Sequence, residues 1–178
     1  MSRESLSNQE LSAQELIGLA ADLIQKKGWM LVTAESCTGG MISAACTDLA
    51  GSSLWFERGF VTYSNEAKTD MLGVDAALIA RHGAVSEAVA RAMAAGAISH
   101  SKAQIALAVT GVAGPTGGTP AKPVGTVWFA FARDVALPGS AAPLISEVRR
   151  FDGDRAAVRS ATVRHALRRL VELLGKAD

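Results

Sequence analysis

Hydrophobic and polar positions recur along this chain with two periods, and the changes of period mark its elements. Leu16, Ile17, Ala20, Leu23 and Ile24 repeat at helical spacing until Gly28, and Ser12 with Glu15 matches a capping box, so an amphipathic helix is predicted between Ser12 and Gly28. Trp29 to Thr33 is a short apolar, β-prone run that predicts a strand. After Ala34 to Gly40, helical spacing returns at Met41, Ile42, Ala45 and Leu49, giving strand, tight loop and helix in that order. Trp55 to Tyr63 is aromatic and β-branched and predicts another strand, in which Gly59 marks a bulge or a close approach.

Ser64 or Asn65 caps a short helix that carries Glu66, Lys68 and Met71 and ends at Gly73, and Asp75 caps another that stops near Gly83. Ser86 opens a longer helix with Val89, Met93, Ala97 and Ile98 on one side. Ala103 to Thr110 is nearly all apolar and predicts a strand buried on both faces. Gly111 to Pro123 holds four glycines and three prolines in thirteen residues, so it is a loop, and its length favours a functional role over a mere connection. Val124 to Ala132 and, after a Pro/Gly/Ala-rich turn, Leu144 to Phe151 predict two further strands. Asp154 then caps a last helix, with Val163, Leu167, Leu170 and Leu174 inward. Its Arg155, Arg159, Arg164 and Arg168 are expected outward, as a solvated face first and an interface second. No internal repeat is visible. Interleaved helices and strands followed by clustered strands predict a single three-layer α/β domain with a mixed β-sheet flanked by helices.

Composition narrows the function classes. A chain of 178 residues matches the size of roughly one domain. Its 49% hydrophobic content excludes intrinsic disorder. A net charge of +1 leaves no basic excess to attract nucleic acid or anionic lipid, so any anion site must be local. The longest apolar runs are strand-sized, well under the roughly 20 residues that span a bilayer, and Met1 to Glu10 lacks the features of a signal peptide. A cytoplasmic location without membrane contact is expected. Cys37 and Cys46 form no CxxC, and His82, His100 and His165 lie in separate helical contexts, so neither a disulfide framework nor a metal site is expected and a Ser-His-Asp triad has little support.

Three segments remain as candidates for chemistry. Thr33-Ala34-Glu35-Ser36-Cys37-Thr38-Gly39-Gly40 places a serine, a thiol and two glycines between a strand and a helix start, where unpaired N–H groups hold a phosphate or an oxyanion. Ordinary capping explains such a turn about equally well, it matches neither a Walker A motif nor GxSxG, and Cys37 competes with Ser36 as nucleophile. Gly59 to Lys68 presents Tyr63 at a strand end and Lys68 on the following helical turn. A lysine desolvated beside an apolar wall is neutral enough to take the proton of a serine, although a lone lysine on a short helix is more often solvated. The third segment, Ala108 to Thr119, opens a buried strand into glycine-dense chain whose hydroxyls and N–H groups suit a phosphate or ribose, with Lys122 as a cation near its exit.

Together the segments TAESCTGG, GSSLWFERGFVTYSNEAK, LGV, HGAVSE, AVTGVAGPTGG and KPVGTVWFAF resemble the CinA C-terminal domain family, from about Thr33 to Phe131. The resemblance implies that residues 1–178 form one amidohydrolase domain of this family. It also implies an activity found in stand-alone members, hydrolysis of the carboxamide of nicotinamide mononucleotide to nicotinate mononucleotide and ammonia, with no metal or other cofactor. In longer members a separate domain resembling molybdopterin-binding proteins comes first, and its activity is not expected here. The family's catalytic serine, tyrosine and lysine match Ser36, Tyr63 and Lys68, with Ser36 as nucleophile, Lys68 as base and Tyr63 relaying or orienting the proton. Thr38, Gly39, Gly40, Thr110, Gly111 and Gly114 are the candidate substrate-binding residues. Two alternatives stand beside this reading: a regulatory or binding module connected with competence and DNA damage, and the same serine chemistry on another amide or lactam. A homodimer is expected, with Trp55-Phe56 and the Arg-rich last helix as its candidate surface.

Overall fold

The computed structural model describes residues 11–134 and 144–176; the polar start of the chain and the Pro/Gly/Ala-rich turn before the last strand lie outside the described residues. The first helix, α1 (Ala13–Lys26), begins as its sequence requires. Glu15 N–H donates to Ser12 Oγ at 3.2 Å while Ser12 N–H donates to Glu15 Oε2 at 2.8 Å, satisfying donors that the first turn would otherwise leave unpaired. The next element, β1 (Leu31–Glu35), starts two residues later than the apolar run suggests, because Trp29 N–H is still committed to Ile24 O at the helix end. Then come α2 (Met41–Thr47), a 3-10 turn (Ser52–Leu54), β2 (Phe56–Val61), α3 (Asn65–Leu72), α4 (Ala76–His82) and α5 (Glu87–Ser99). The chain continues through β3 (Ile105–Gly111), β4 (Thr126–Arg133), β5 (Ile145–Arg150) and α6 (Arg155–Gly175). Trp55 stands outside β2 and is 1% exposed, packed edge-on against Phe56, so it belongs to the core and not to a self-association surface.

The sheet has the order β2-β1-β3-β4-β5. Its first three members are parallel, joined by helical crossovers, and the last two run antiparallel. In the pairing of β1 with β2, Leu31 faces Phe56 and Val32 faces Arg58, so the extra residue is Glu57 and the bulge precedes Gly59. Gly59 is instead a point of close approach. A Cβ there would lie 2.1 Å from Ser43 Oγ, which belongs to α2 in the crossover between β1 and β2.

Alternation of large and small residues decides what packs on each face. Ile105, Leu107 and Val109 of β3, with Val127, Phe129 and Phe131 of β4, join one core with α1 and α6. Ala106, Ala108, Ala130 and Ala132 face the other way, and this shallow surface takes Val89, Ala90, Met93 and Ala97 of α5. The result is three layers. Leu107 and Leu167 are fully buried in the first core, and truncating either to alanine costs about 2–5 kcal/mol. Among the described residues no helix is long and apolar enough to cross a membrane. Because β1, β2 and β3 are parallel, their C-terminal ends meet at one edge, and the segments that leave them are the three that the sequence marks for chemistry.

Candidate active site

Ser36 leaves the end of β1 with its N–H donated to Val109 O at 3.1 Å, which ties it to β3, and its side chain is 8% exposed. Across from it, Ser64 caps α3 by accepting from Ala67 N–H at 3.0 Å. That cap folds the main chain of residues 62–64 over the first turn of the helix, where Lys68 lies only 1% exposed. Lys68 Nζ is 3.0 Å from Ser36 Oγ and donates toward the carbonyls of Thr62 at 2.8 Å, Ser64 at 3.3 Å and Tyr63 at 3.4 Å. Burial holds its ammonium below the ordinary value of 10.5, against smaller opposing pulls from Cys37 and Glu66. The sequence-level preference for a solvated lysine does not hold here.

Cys37 is not the better nucleophile. Its side chain is 6% exposed within the apolar core, and burial pushes the thiol up to about 11, so it stays protonated where a thiolate is required. Ser36, Cys37, Tyr63, Lys68, Thr110 and Gly111 line a cavity of about 250 Å³, closed further by Ala84, Val85, Ala113 and Arg155. Tyr63 is 64% exposed at its rim, and its hydroxyl accepts from Arg155 Nη2 at 3.2 Å. Its carbonyl, rather than its phenol, faces Lys68. Thr110 Oγ1 donates to Ala84 O at 2.9 Å, fixing the segment before α5 as a cavity wall. Gly114 lies outside the lining, and its carbonyl accepts from Arg155 Nη1 at 3.0 Å.

The helix start at Thr38, Gly39 and Gly40 differs from expectation. The Thr38 hydroxyl and the N–H groups from Gly39 onward are already committed, chiefly to Glu35, which is fully buried and accepts five hydrogen bonds: from Thr38 Oγ1 at 2.6 Å, Gly40 N–H at 3.1 Å, Ile42 N–H at 3.0 Å, and Ser43 N–H and Oγ each at 2.8 Å. Gly39 N–H closes the turn onto Ser36 O at 3.1 Å. An internal carboxylate therefore occupies the place that the sequence offered to a substrate phosphate. Gly39 and Gly40 are there for another reason, since their φ values of 60° and 96° are open to glycine at little cost.

Residues 13–174 match the CinA C-terminal domain. The chain belongs to that family. A relative from Escherichia coli (strain K12), named nicotinamide-nucleotide amidohydrolase PncC, is 49% identical over 160 residues, covering 90% of this chain and 92% of its own. A Pseudomonas putida relative of the same name is 54% identical over 143 residues, covering 80% and 85%. The crystal structure of the competence damage-inducible protein A from Klebsiella pneumoniae subsp. pneumoniae MGH 78578 superposes with a TM-score of 0.87 at 39% identity, over 94% of this chain and 100% of that one.

Within this CinA-type fold, sequence reasoning placed Ser36, Lys68, Tyr63, Thr110 and Gly111 together, and the structure brings all five to one cavity. It missed Glu35, Arg155 and Arg159. Glu35 sits in the apolar pattern of β1, where a lone carboxylate with no periodic partner gives no sign of its use. Arg155 and Arg159 read as part of a solvated helix face, yet both reach the segments that leave the parallel strands: the exposed Arg155 donates to Tyr63 Oη and Gly114 O, and Arg159 donates to Cys37 O at 3.1 Å and Thr38 O at 2.8 Å. The histidines lie elsewhere: the His82 carbonyl accepts from Lys122 Nζ, His100 caps α5 and His165 pairs with Glu147.

Proposed function

We propose that this chain is a nicotinamide-nucleotide amidase that hydrolyses the carboxamide of nicotinamide mononucleotide through a Ser36 nucleophile with Lys68 as its base. The observation that carries the reading is the 3.0 Å approach of a buried lysine to a serine hydroxyl, in a chain half identical to relatives named for that activity. With Lys68 neutral, two N–H bonds remain for the Thr62 and neighbouring carbonyls, and the lone pair accepts the Ser36 O–H. Ser36 Oγ attacks the carboxamide carbon and its proton passes to Nζ. The tetrahedral oxyanion meets the N–H of Cys37, which lines the cavity and, unlike the N–H groups of Gly39 and Gly40, is not given to Ser36 O or to Glu35. Collapse breaks the C–N bond, Nζ returns the proton to nitrogen and ammonia leaves an acyl-serine. Water, deprotonated by Lys68, attacks the ester, and the proton goes back to Ser36 as nicotinate mononucleotide departs.

Tyr63 acts at the rim, where Arg155 holds its hydroxyl toward the arriving substrate to orient the amide for the proton that Lys68 returns. The phosphate goes to the side of the cavity away from Glu35. There Arg155 supplies charge and the Thr110 to Gly114 segment supplies backbone, with Gly114 acting through the arginine that its carbonyl holds. The substrate is a nucleotide of the pyridine class.

The test is direct. Purified protein, dialysed against chelator, should release ammonia and nicotinate mononucleotide from nicotinamide mononucleotide, and Ser36→Ala should not. Turnover by both proteins would remove Ser36 from the reaction, and a folded wild type that released nothing would remove the substrate.

A further inference from the structure

We propose that Arg159 is a positioning residue for the reaction at Ser36, fixing the turn that carries the serine and the cavity-lining Cys37 by holding it from its carbonyl side; this rests on the serine mechanism above. The guanidinium reaches from the second turn of α6, and its Nε and Nη2 donate to two successive carbonyls, Cys37 O at 3.1 Å and Thr38 O at 2.8 Å. Those two nitrogens form one edge of a planar fork, so the contact fixes orientation as well as distance. The Cys37–Thr38 peptide is trans, and a trans unit points its C=O and N–H in opposite directions. Drawing the Cys37 oxygen to Arg159 therefore turns the Thr38 N–H away from α6. The Thr38 oxygen is held in the same way, and the next N–H, that of Gly39, closes onto Ser36 O at 3.1 Å.

Glu35 acts on the opposite polarity of the same turn. Its carboxylate collects the Thr38 hydroxyl and the Gly40 N–H from within the fold, while the arginine collects carbonyls from outside. Held by an anion at its donors and a cation at its acceptors, the turn has little freedom to rotate a peptide. The platform is firm, because Val158 and Val163 beside Arg159 are buried against the core that α6 shares with α1. Arg159 also lines a cavity of about 640 Å³ with Arg155 and Asp154, so solvent species can reach the position once the side chain is removed.

Arg159→Ala and Arg159→Lys test the assignment on the full chain with nicotinamide mononucleotide. The expected result is a loss in kcat of about 10²-fold with KM little changed, the size seen when a reacting group is set slightly off its geometry by a distant change. Guanidinium at millimolar concentration should restore part of the Arg159→Ala rate, whereas Arg159→Lys, which lacks the fork, should stay impaired. A parallel reading uses a fluorophosphonate probe, in which Ser36 Oγ bonds to phosphorus and fluoride leaves, followed by intact mass. Labelling should slow in Arg159→Ala and recover with guanidinium. A rise in KM at unchanged kcat would overturn the proposal and make Arg159 a substrate ligand. A kcat loss with no rescue and a lowered unfolding midpoint would overturn it in favour of a merely structural role. A wild type that labels without hydrolysing the nucleotide would overturn the substrate alone, and the labelling rates would still decide Arg159; no labelling and no hydrolysis would overturn both.

Discussion

Lys68 Nζ lies 3.0 Å from Ser36 Oγ, and its other oxygen neighbours are the main-chain carbonyls of Thr62, Tyr63 and Ser64. Carbonyl dipoles satisfy the N–H groups of a lysine without supplying the counter-charge of a carboxylate. A side chain 1% exposed in such a setting gives up its proton more readily than one in water, which is what the proposed role of Lys68 as base requires.

The pH dependence follows with a definite sign. Since the folded-state value of Lys68 is lowered from 10.5, the neutral base forms as pH rises through that lowered value, and kcat/KM should climb at a lower pH than an ordinary lysine would give. Over the same window the unfolded chain binds more protons than the folded one, so this lysine makes stability rise with pH toward 10.5 and fall as pH drops. Lys68→Met should lower turnover by about 10²–10⁴-fold and erase the basic limb of the rate profile. A profile unchanged in that variant would assign the limb to another group.

Cys37 offers a sharp contrast with its neighbour. Its thiol, raised to about 11, should leave it almost fully protonated at pH 8 and slow to react. Iodoacetamide at that pH should therefore leave activity intact, and Cys37→Ala should keep turnover near wild type while losing about 1 kcal/mol of stability from the core. Rapid inactivation by the reagent, prevented by substrate and absent in Cys37→Ala, would count against Ser36.

Glu35 should matter to the fold as much as to the chemistry. In Glu35→Gln a single amide oxygen replaces two carboxylate oxygens, and the new NH₂ faces N–H donors from either the Gly40 and Ile42 side or the Ser43 side. Leaving buried donors unpaired at that density should cost about 3 kcal/mol in urea unfolding. Turnover should fall at the same time, because the turn that bears Ser36 loses its inner anchor.

Helix starts were the most legible feature of the sequence. Ser12, Ser64, Asp75, Ser86 and Asp154 each accept a backbone N–H at the position where their residue type and spacing placed a cap. The cavity residues were legible for a related reason: parallel strands bring their C-terminal ends together, so segments far apart in sequence converge without any side-chain signal. What escaped was tertiary recruitment of polar groups. Helical periodicity correctly turns Leu167 and Leu170 inward, but it says nothing about how far Arg155 and Arg159, on the flank of the same helix, extend along the sheet edge. The Gly40 helix start looked open to a ligand because local sequence cannot show that a carboxylate five residues earlier returns to fill it.

Gly59 connects strand packing to this network. The Cβ of an alanine there would lie 2.1 Å from Ser43 Oγ and 2.9 Å from Thr33 Oγ1, two hydroxyls that are themselves 2.7 Å apart. Ser43 Oγ also donates to Glu35 Oε1 at 2.8 Å, so the methyl group would press on the anchor of the Ser36 turn through one intermediate side chain. Gly59→Ala should destabilise the protein by about 1–3 kcal/mol, as overpacking does, and should lower kcat although it lies outside the cavity. Ser43→Ala removes the closest atom but leaves a Cβ 3.0 Å away, so relief should be partial. A double-mutant cycle should then give a favourable coupling of about 0.5–3 kcal/mol between the two changes in unfolding free energy. Strict additivity would mean that β2 moves aside to admit the methyl group, and that Ser43 does not transmit the strain to Glu35.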